Sequence, residues 1–189
     1  MNDIIREGNE LLRVKSVDVK TPVKEEDINI LKQMLEYVHN SVDEEIGPKY
    51  NLRPSVGLAA PQIGINKKII AISAYDEKGR LYDFPLINPK ILSYSDELTY
   101  LKTGEGCLSV DRACDAYIHR PARVMFEAYF YDLKTGKLEK KRMKLKGYLS
   151  VVFQHEYDHL NGILFVDRAN KTNPKFIPDN SKPIQFKEN

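Results

Sequence analysis

QHEYDHLNG, residues 154–162, carries two histidines four apart with a glutamate directly after the first. On a helix, residues at that spacing project from one face, so His155 and His159 can grip one ion. The run Tyr148 to Asn161 reads as such a helix. Gly147 releases it, Tyr148, Val151 and Val152 precede His155 on the same face, and Gly162 stands where a C-terminal cap belongs. The histidines extend an apolar stripe, which predicts a buried site where electrostatic work is strong. Glu156 lies about a quarter turn away, within reach of a water on the ion as general base. The bland alternative is two satisfied core or surface histidines; by average composition HExxH arises by chance in roughly one chain of this length in a few hundred.

Outward from this helix, the chain predicts one domain over residues 1–189, with no internal repeat and an irregular, extended tail from about residue 170. A hydrophobic content of 42% and a charged content of 30% fit a globular protein with a real core. The net charge of +2 implies no strongly polyanionic partner but leaves room for a local basic patch, and two cysteines exclude a disulfide framework. The N-terminus lacks an apolar signal core and is too acidic for a transit peptide, and no stretch has the length of a membrane span, so a cytoplasmic enzyme or binding domain is expected.

A first helix is predicted after Thr21-Pro22, from Ile28, Leu31, Leu35, Val38, Val42 and Ile46, with Glu25, Glu26 and Asp27 at the positive end of its dipole. Its His39 reads as an ordinary boundary side chain. The middle of the chain reads as strands: Lys68 to Ser73, Leu81 to Ile87 up to a break at Asn88-Pro89, and Arg123 to Tyr131 joined to Leu138 to Leu145 by a hairpin around Thr135-Gly136. The basic run LEKKRMKLK (138–146) alternates Met143 and Leu145 with lysines, which fits a half-solvated strand better than a nucleic-acid patch.

A catalytic site of the zinc type needs a third protein ligand and one open position. The zinc-protease pattern HExxHxxGxxH matches as far as Gly162, then meets Phe165, which cannot ligate. A downstream glutamate ligand would have to be Glu188, in the extreme tail, and Asp167 remains a formal possibility. Upstream, Cys107 follows the strand-like run LTYLKT (98–103), flanked by glycine, and can reach a metal as thiolate. Further upstream, VGLAAPQIG (56–64) sets small residues around Gln62, suited to close approach by an extended substrate.

SVGLAAPQ (55–62), EGCLS (105–109) and HEYDH (155–159), in that order, resemble the motifs of the peptide deformylase family, from the N-terminal arm to about residue 168. The loop SVDEEIGPKYNLRPS, the segment GEGCLSVDR and a short non-helical tail look like its longer bacterial class (type 2). The resemblance implies an α+β fold with antiparallel and mixed sheets around a central HExxH helix. It implies Cys107, His155 and His159 as metal ligands, Glu156 as catalytic acid/base, and Gln62 with the backbone N–H of Leu108 as oxyanion donors. Such a donor is typically worth roughly 3 kcal/mol in the transition state. The implied cofactor is one divalent ion, Fe2+ first, with Ni2+, Co2+ or Zn2+ able to use the same ligands. The implied substrate is the N-formyl group on the initiator methionine of nascent polypeptides, with transient ribosome contact and no direct nucleic-acid or membrane role. Val56, Gly57, Tyr148 and Val152 match positions around the methionine pocket; plain core packing explains them almost as well.

Ser55 stands where the family pattern opens with glycine. A positive φ there would strain a serine by about 1 kcal/mol or more and shift the aim of Gln62. Cys114 and His119 match no ligand position and read as a free thiol and a structural side chain. Three alternatives stay open on the sequence: a metalloprotease with another third ligand, a structural metal site closed by a fourth ligand such as Cys114 or His119, and a nucleic-acid module on the basic strand.

Overall fold

The computed structural model describes residues 4–186, and among them the chain forms two sheets and three α-helices. The larger sheet contains β1 (Gly57–Ala59), β2 (Ile69–Tyr75), β3 (Leu81–Tyr94), β6 (Arg123–Tyr131) and β7 (Leu138–Lys146), in the order β1-β2-β3-β6-β7. Every neighbouring pair in it is antiparallel. The smaller sheet sets β4 (Leu98–Tyr100) between β5 (Arg120–Pro121), antiparallel, and β8 (Ser181–Pro183), parallel. The class is α+β, with antiparallel and mixed sheets, as the sequence implies.

The apolar run of β2 explains the layering. A strand buried on both faces reads as continuous rather than alternating hydrophobicity. Ile70, Ile72 and Ala74 face one core with Phe84, Phe126, Val152 and Phe153. Ile69 and Ala71 face another with Leu31, Met34, Leu35 and Val38. The first set packs on helix α3 (Gly147–His159), the second on helix α1 (Glu25–Val42). Phe153 stacks on Phe126 at 4.1 Å between centroids, and burying one such ring is worth about 1.5–3 kcal/mol.

The two helices differ in cover. Helix α1 buries one face, and its apolar pattern stops short of the expected end: Val42 is exposed, and Ile46 opens a separate turn, α2 (Ile46–Lys49). Asp43 Oδ1 caps that turn, accepting from the N–H groups of Glu45 and Ile46. Helix α3 is covered nearly all round, with ten of its 13 residues buried, where the sequence suggested a single stripe. Its buried polar side chains are satisfied locally, Ser150 Oγ and Gln154 Nε2 both donating to the Pro121 carbonyl.

Gly147 opens α3 at φ +57°, and a Cβ there would meet Glu77 Oε1 at 1.6 Å. That carboxylate accepts from the Tyr148 N–H at 2.7 Å, so a turn between β2 and β3 caps the start of the helix. The expected break at Asn88-Pro89 is instead a register shift inside one long strand, between Ile87 and Lys90. Asn88 takes φ +52°, and its side chain clamps both the N–H and the carbonyl of Val19 at 2.8 Å. The basic strand β7 is an edge strand with Leu145 buried and its lysines exposed. In the tail, read from sequence as irregular, residues 181–183 pair with β4.

Candidate metal and catalytic site

Helix α3 brings His155 and His159 to one face, and the loop after β4 brings Cys107 against them. One ligand atom from each of Cys107, His155 and His159 lies within 4.8 Å of the others, and among the described residues no other His, Cys or acidic side chain joins them. Cys107 Sγ is 3.3 Å from His159 Nε2. One sulfur and two imidazoles with one side left to a cavity would suit an ion with an open position better than a closed, four-ligand site. The other candidates lie elsewhere. His119 holds Ser181 Oγ at 2.7 Å and the Phe176 carbonyl at 2.8 Å. Asp167 pairs with Arg13 and accepts from the Leu164 N–H. Cys114 packs half-buried beside a small apolar cluster under the Cys107 loop. Phe165, which broke the protease pattern, stacks on the His155 ring at 5.8 Å.

His155 is held from behind. Its Nδ1 meets Glu105 Oε2 at 2.8 Å, which leaves Nε2 for an ion. Glu105 takes a bidentate grip from Arg120 at 2.6 and 2.9 Å, and Arg120 reaches on to Asp158 at 2.8 Å. Arg168 closes the chain from the surface, bonding both Asp158 oxygens at 2.5 Å. Glu105 was visible in its motif without a role. Arg120, Asp158 and Arg168 were missed, and the only sequence signal was an acidic residue in the last turn of a buried helix.

Electrostatics follow from this arrangement. Burial works against the charge of Glu105, but Arg120 and His155 hold its carboxyl down at about 2. Burial likewise opposes a charged His155, yet its hydrogen bonds to Cys107 and Glu105 and the nearby Glu156 push it up to about 10. An ion taken up here displaces that proton. Burial, then the charges of His155 and Arg120, keep His159 well below the ordinary imidazole range. Burial lifts the Glu156 carboxyl to about 7, against the pull of His155 and Arg120. Its Oε2 is buried with no hydrogen-bond partner. Gly57 makes room for it: a Cβ at that position would lie 2.5 Å from Glu156 Oε1.

A cavity of about 520 Å³ opens over this group. The expected residues Val56, Gly57, Tyr148 and Val152 line it, together with Gln62, Cys107, Leu108, His155 and Glu156. His159 lies behind, 1% exposed. Gln62 sits on a 3-10 turn directly after β1. Its Oε1 accepts from the Ala59 N–H at 2.9 Å, which turns Nε2 toward Ser109 Oγ at 3.2 Å and Cys107 Sγ at 3.7 Å. The Cys107 carbonyl accepts from the Val110 N–H at 3.3 Å and from Arg53, so the Leu108 N–H, across the same trans peptide, faces the other way. The Leu108 carbonyl accepts from Arg6 and from Arg53.

Ser55 carries no positive φ. Its hydroxyl donates to the Gly57 carbonyl at 2.6 Å and its N–H donates to Ser41 Oγ at 3.0 Å, so the loop holds serine without strain. The N-terminal arm then ties the three motif segments together: Ile5 N–H to the Gln62 carbonyl, Glu7 N–H to that of Ser109, and Ser16 N–H to that of Leu160, all at 2.7–2.8 Å.

Comparison with known proteins agrees with this geometry. The sequence model of the family described as polypeptide deformylase matches residues 1–175. Peptide deformylase 2 of Bacillus anthracis is 51% identical over 185 residues, 98% of each chain. The peptide deformylase of Oceanobacillus iheyensis is 49% identical over the same share of each. Among solved structures, a plant peptide deformylase superposes with a TM-score of 0.70 at 32% identity, covering 90% of this chain and 81% of its own. The Thermotoga maritima peptide deformylase gives 0.66 at 31% identity, covering 89% and 97%.

Proposed function

The chain belongs to the polypeptide deformylase family, and from that premise we propose how its residues remove the N-formyl group from the initiator methionine of nascent polypeptides. The hydrolysis releases formate and a free N-terminus. Cys107, His155 and His159 would hold one divalent ion, Fe2+ in this reading, and a thiolate with two imidazoles would equally take nickel, cobalt or zinc. When bound, the ion supplies Lewis-acid polarisation of the formyl carbonyl. Glu156 takes the proton of the attacking water and returns it to the departing amine, a task suited to a carboxyl that burial has lifted to about 7. Gln62 Nε2 and the Leu108 N–H donate to the oxygen on which charge develops. Val56, Gly57, Tyr148 and Val152 receive the methionine side chain, and their apolar surfaces suit it.

The observation that carries this reading is the unpartnered Glu156 oxygen beside three converging donors at the floor of a cavity. The helix-interrupted loop after α1 and the non-helical tail support the longer bacterial class (type 2). The same proposal places the protein in the cytoplasm, with transient contact with the ribosome, because the substrate is a growing chain. Among the described residues no helix is long and apolar enough to cross a membrane.

The test is formate release from formyl-Met-Ala-Ser by iron-loaded protein under anaerobic conditions, with the unformylated peptide as control. Glu156→Ala is expected to lower the rate by about 10²–10⁴-fold while leaving the ion bound. Formate at background from the parent protein would overturn the reading.

A further inference from the structure

The cavity has a wall that the three motifs do not supply. Phe186, from the tail, lines it beside Tyr148, the two rings 5.2 Å apart and edge-on at 72°. Phe186 is 52% exposed, so its ring presents an open face rather than filling a core.

Its placement is built. Strand β8 runs parallel to β4, Thr99 Oγ1 donates to the Lys182 carbonyl at 2.9 Å, and Ile184 N–H donates to the Tyr100 carbonyl at 2.9 Å. His119 pins the approach by holding both Ser181 and Phe176. Strand β4 continues directly into Leu101, Thr103 and Gly104, which form another side of the same cavity on the way to Cys107. The tail is thus registered against the segment that carries a metal donor. Tyr148 lies seven residues before His155, about 10 Å along the helix axis, so Phe186 closes the cavity at the end remote from the reacting group.

We propose that Phe186 is a specificity-determining residue that completes, from the tail, the seat of the substrate's methionine side chain. This rests on the deformylase reading of the cavity. A thioether next to an aromatic edge about 5 Å away is a favourable contact, and two rings at right angles offer such an edge. A side chain too short to reach the end of the cavity gains nothing from it.

The test compares kcat and KM for formyl-Met-Ala-Ser, formyl-norleucine-Ala-Ser and formyl-Ala-Ala-Ser in the parent and in Phe186→Ala and Phe186→Leu. Phe186→Ala is expected to reduce the preference for methionine over alanine by about fivefold, carried by KM. Phe186→Leu keeps apolar area and loses the ring, so it should erase the preference for methionine over norleucine while keeping most of that over alanine. Calorimetric titration with the product Met-Ala-Ser should show the same weakening without turnover. An active parent whose side-chain ranking is the same in both variants overturns the assignment of Phe186 alone, as does an equal loss on all three substrates. A parent that releases no formate from any of them overturns the deformylase reading itself.

Discussion

Arg120 and Arg53 both brace the loop that carries Cys107, one in the dry interior and one half in water. The Arg120 side chain is 1% exposed and links Glu105, 4% exposed, to Asp158, 6% exposed. The Arg53 side chain is 46% exposed, and its partner Asp111 is 63% exposed, although their contact is as short as 2.5 Å. Length is therefore a poor guide to consequence. Removing one partner of a buried ion pair strands the other charge in a low dielectric, whereas water and salt replace a lost surface partner at little cost. The interior arginine orients His155 through Glu105, while the surface arginine holds carbonyls of a loop that Val110 and the N-terminal arm also hold.

The largest expected effect tests that contrast directly. Arg120→Met should cost about 3–5 kcal/mol, because Glu105 and Asp158 are left buried and unpaired on that side. For a chain of this size that is a drop in Tm of roughly 10 °C. Arg53→Met should stay within about 1 kcal/mol. Urea denaturation of both variants in the metal-free state decides it; equal losses would mean that burial does not govern the two walls.

Next in size is Glu105→Gln, which keeps shape and removes charge. A carboxylate behind a ligating histidine typically contributes 10–100-fold in metal affinity, so iron or zinc binding should weaken by about that factor in a competitive chelator titration. The variant also has a pH signature. Glu105 titrates at about 2 in the folded chain against an ordinary 4.5, so its stabilisation is full above pH 4.5 and is lost as pH falls through about 2. Metal-free Glu105→Gln protein should therefore show a flatter stability curve than the parent over that window. An unchanged slope would show that Glu105 is not the group that titrates.

Much of this was readable from residue patterns, and the unreadable part has a common cause. The 3.6-residue periodicity of α1 and the apolar run of β2 express local physics, and both elements form, α1 ending at Val42 rather than reaching the expected Ile46. The helix that brings His155 and His159 together was also readable, since HExxH is itself a statement about spacing on one face. The contribution of Arg120 depends on partners 15 and 38 residues away, and the cap supplied by Glu77 lies 71 residues from the helix it caps. Asn88-Pro89 reads as a strand end because an Asn-Pro pair usually marks a turn; the clamp on Val19 that keeps the strand going is tertiary. Phe186 sat in a tail with no period at all, and only the pairing of β8 with β4 gives it a place.

The smallest effect is settled by its sign. If Ser55 were strained in place of a glycine, Ser55→Gly would stabilise the protein. The structure argues the reverse. Its backbone is outside the left-handed region, and its hydroxyl makes a 2.6 Å bond to the carbonyl of Gly57, the residue against which Glu156 rests. Glycine would remove that bond, worth a net 0.5–1.5 kcal/mol in a typical case, and would loosen the unfolded chain as well. Ser55→Gly should therefore lose about 1 kcal/mol in urea denaturation, on the same scale as Arg53→Met and well short of Arg120→Met. Because Ser41 anchors the Ser55 backbone N–H independently, the loop keeps its path and Gln62 keeps its bond to Ala59, so kcat on formyl-Met-Ala-Ser should change by less than about twofold. A gain in stability, or a loss of kcat comparable to that of an oxyanion donor, would mean that this loop is held by its glycine pattern rather than by its hydroxyls.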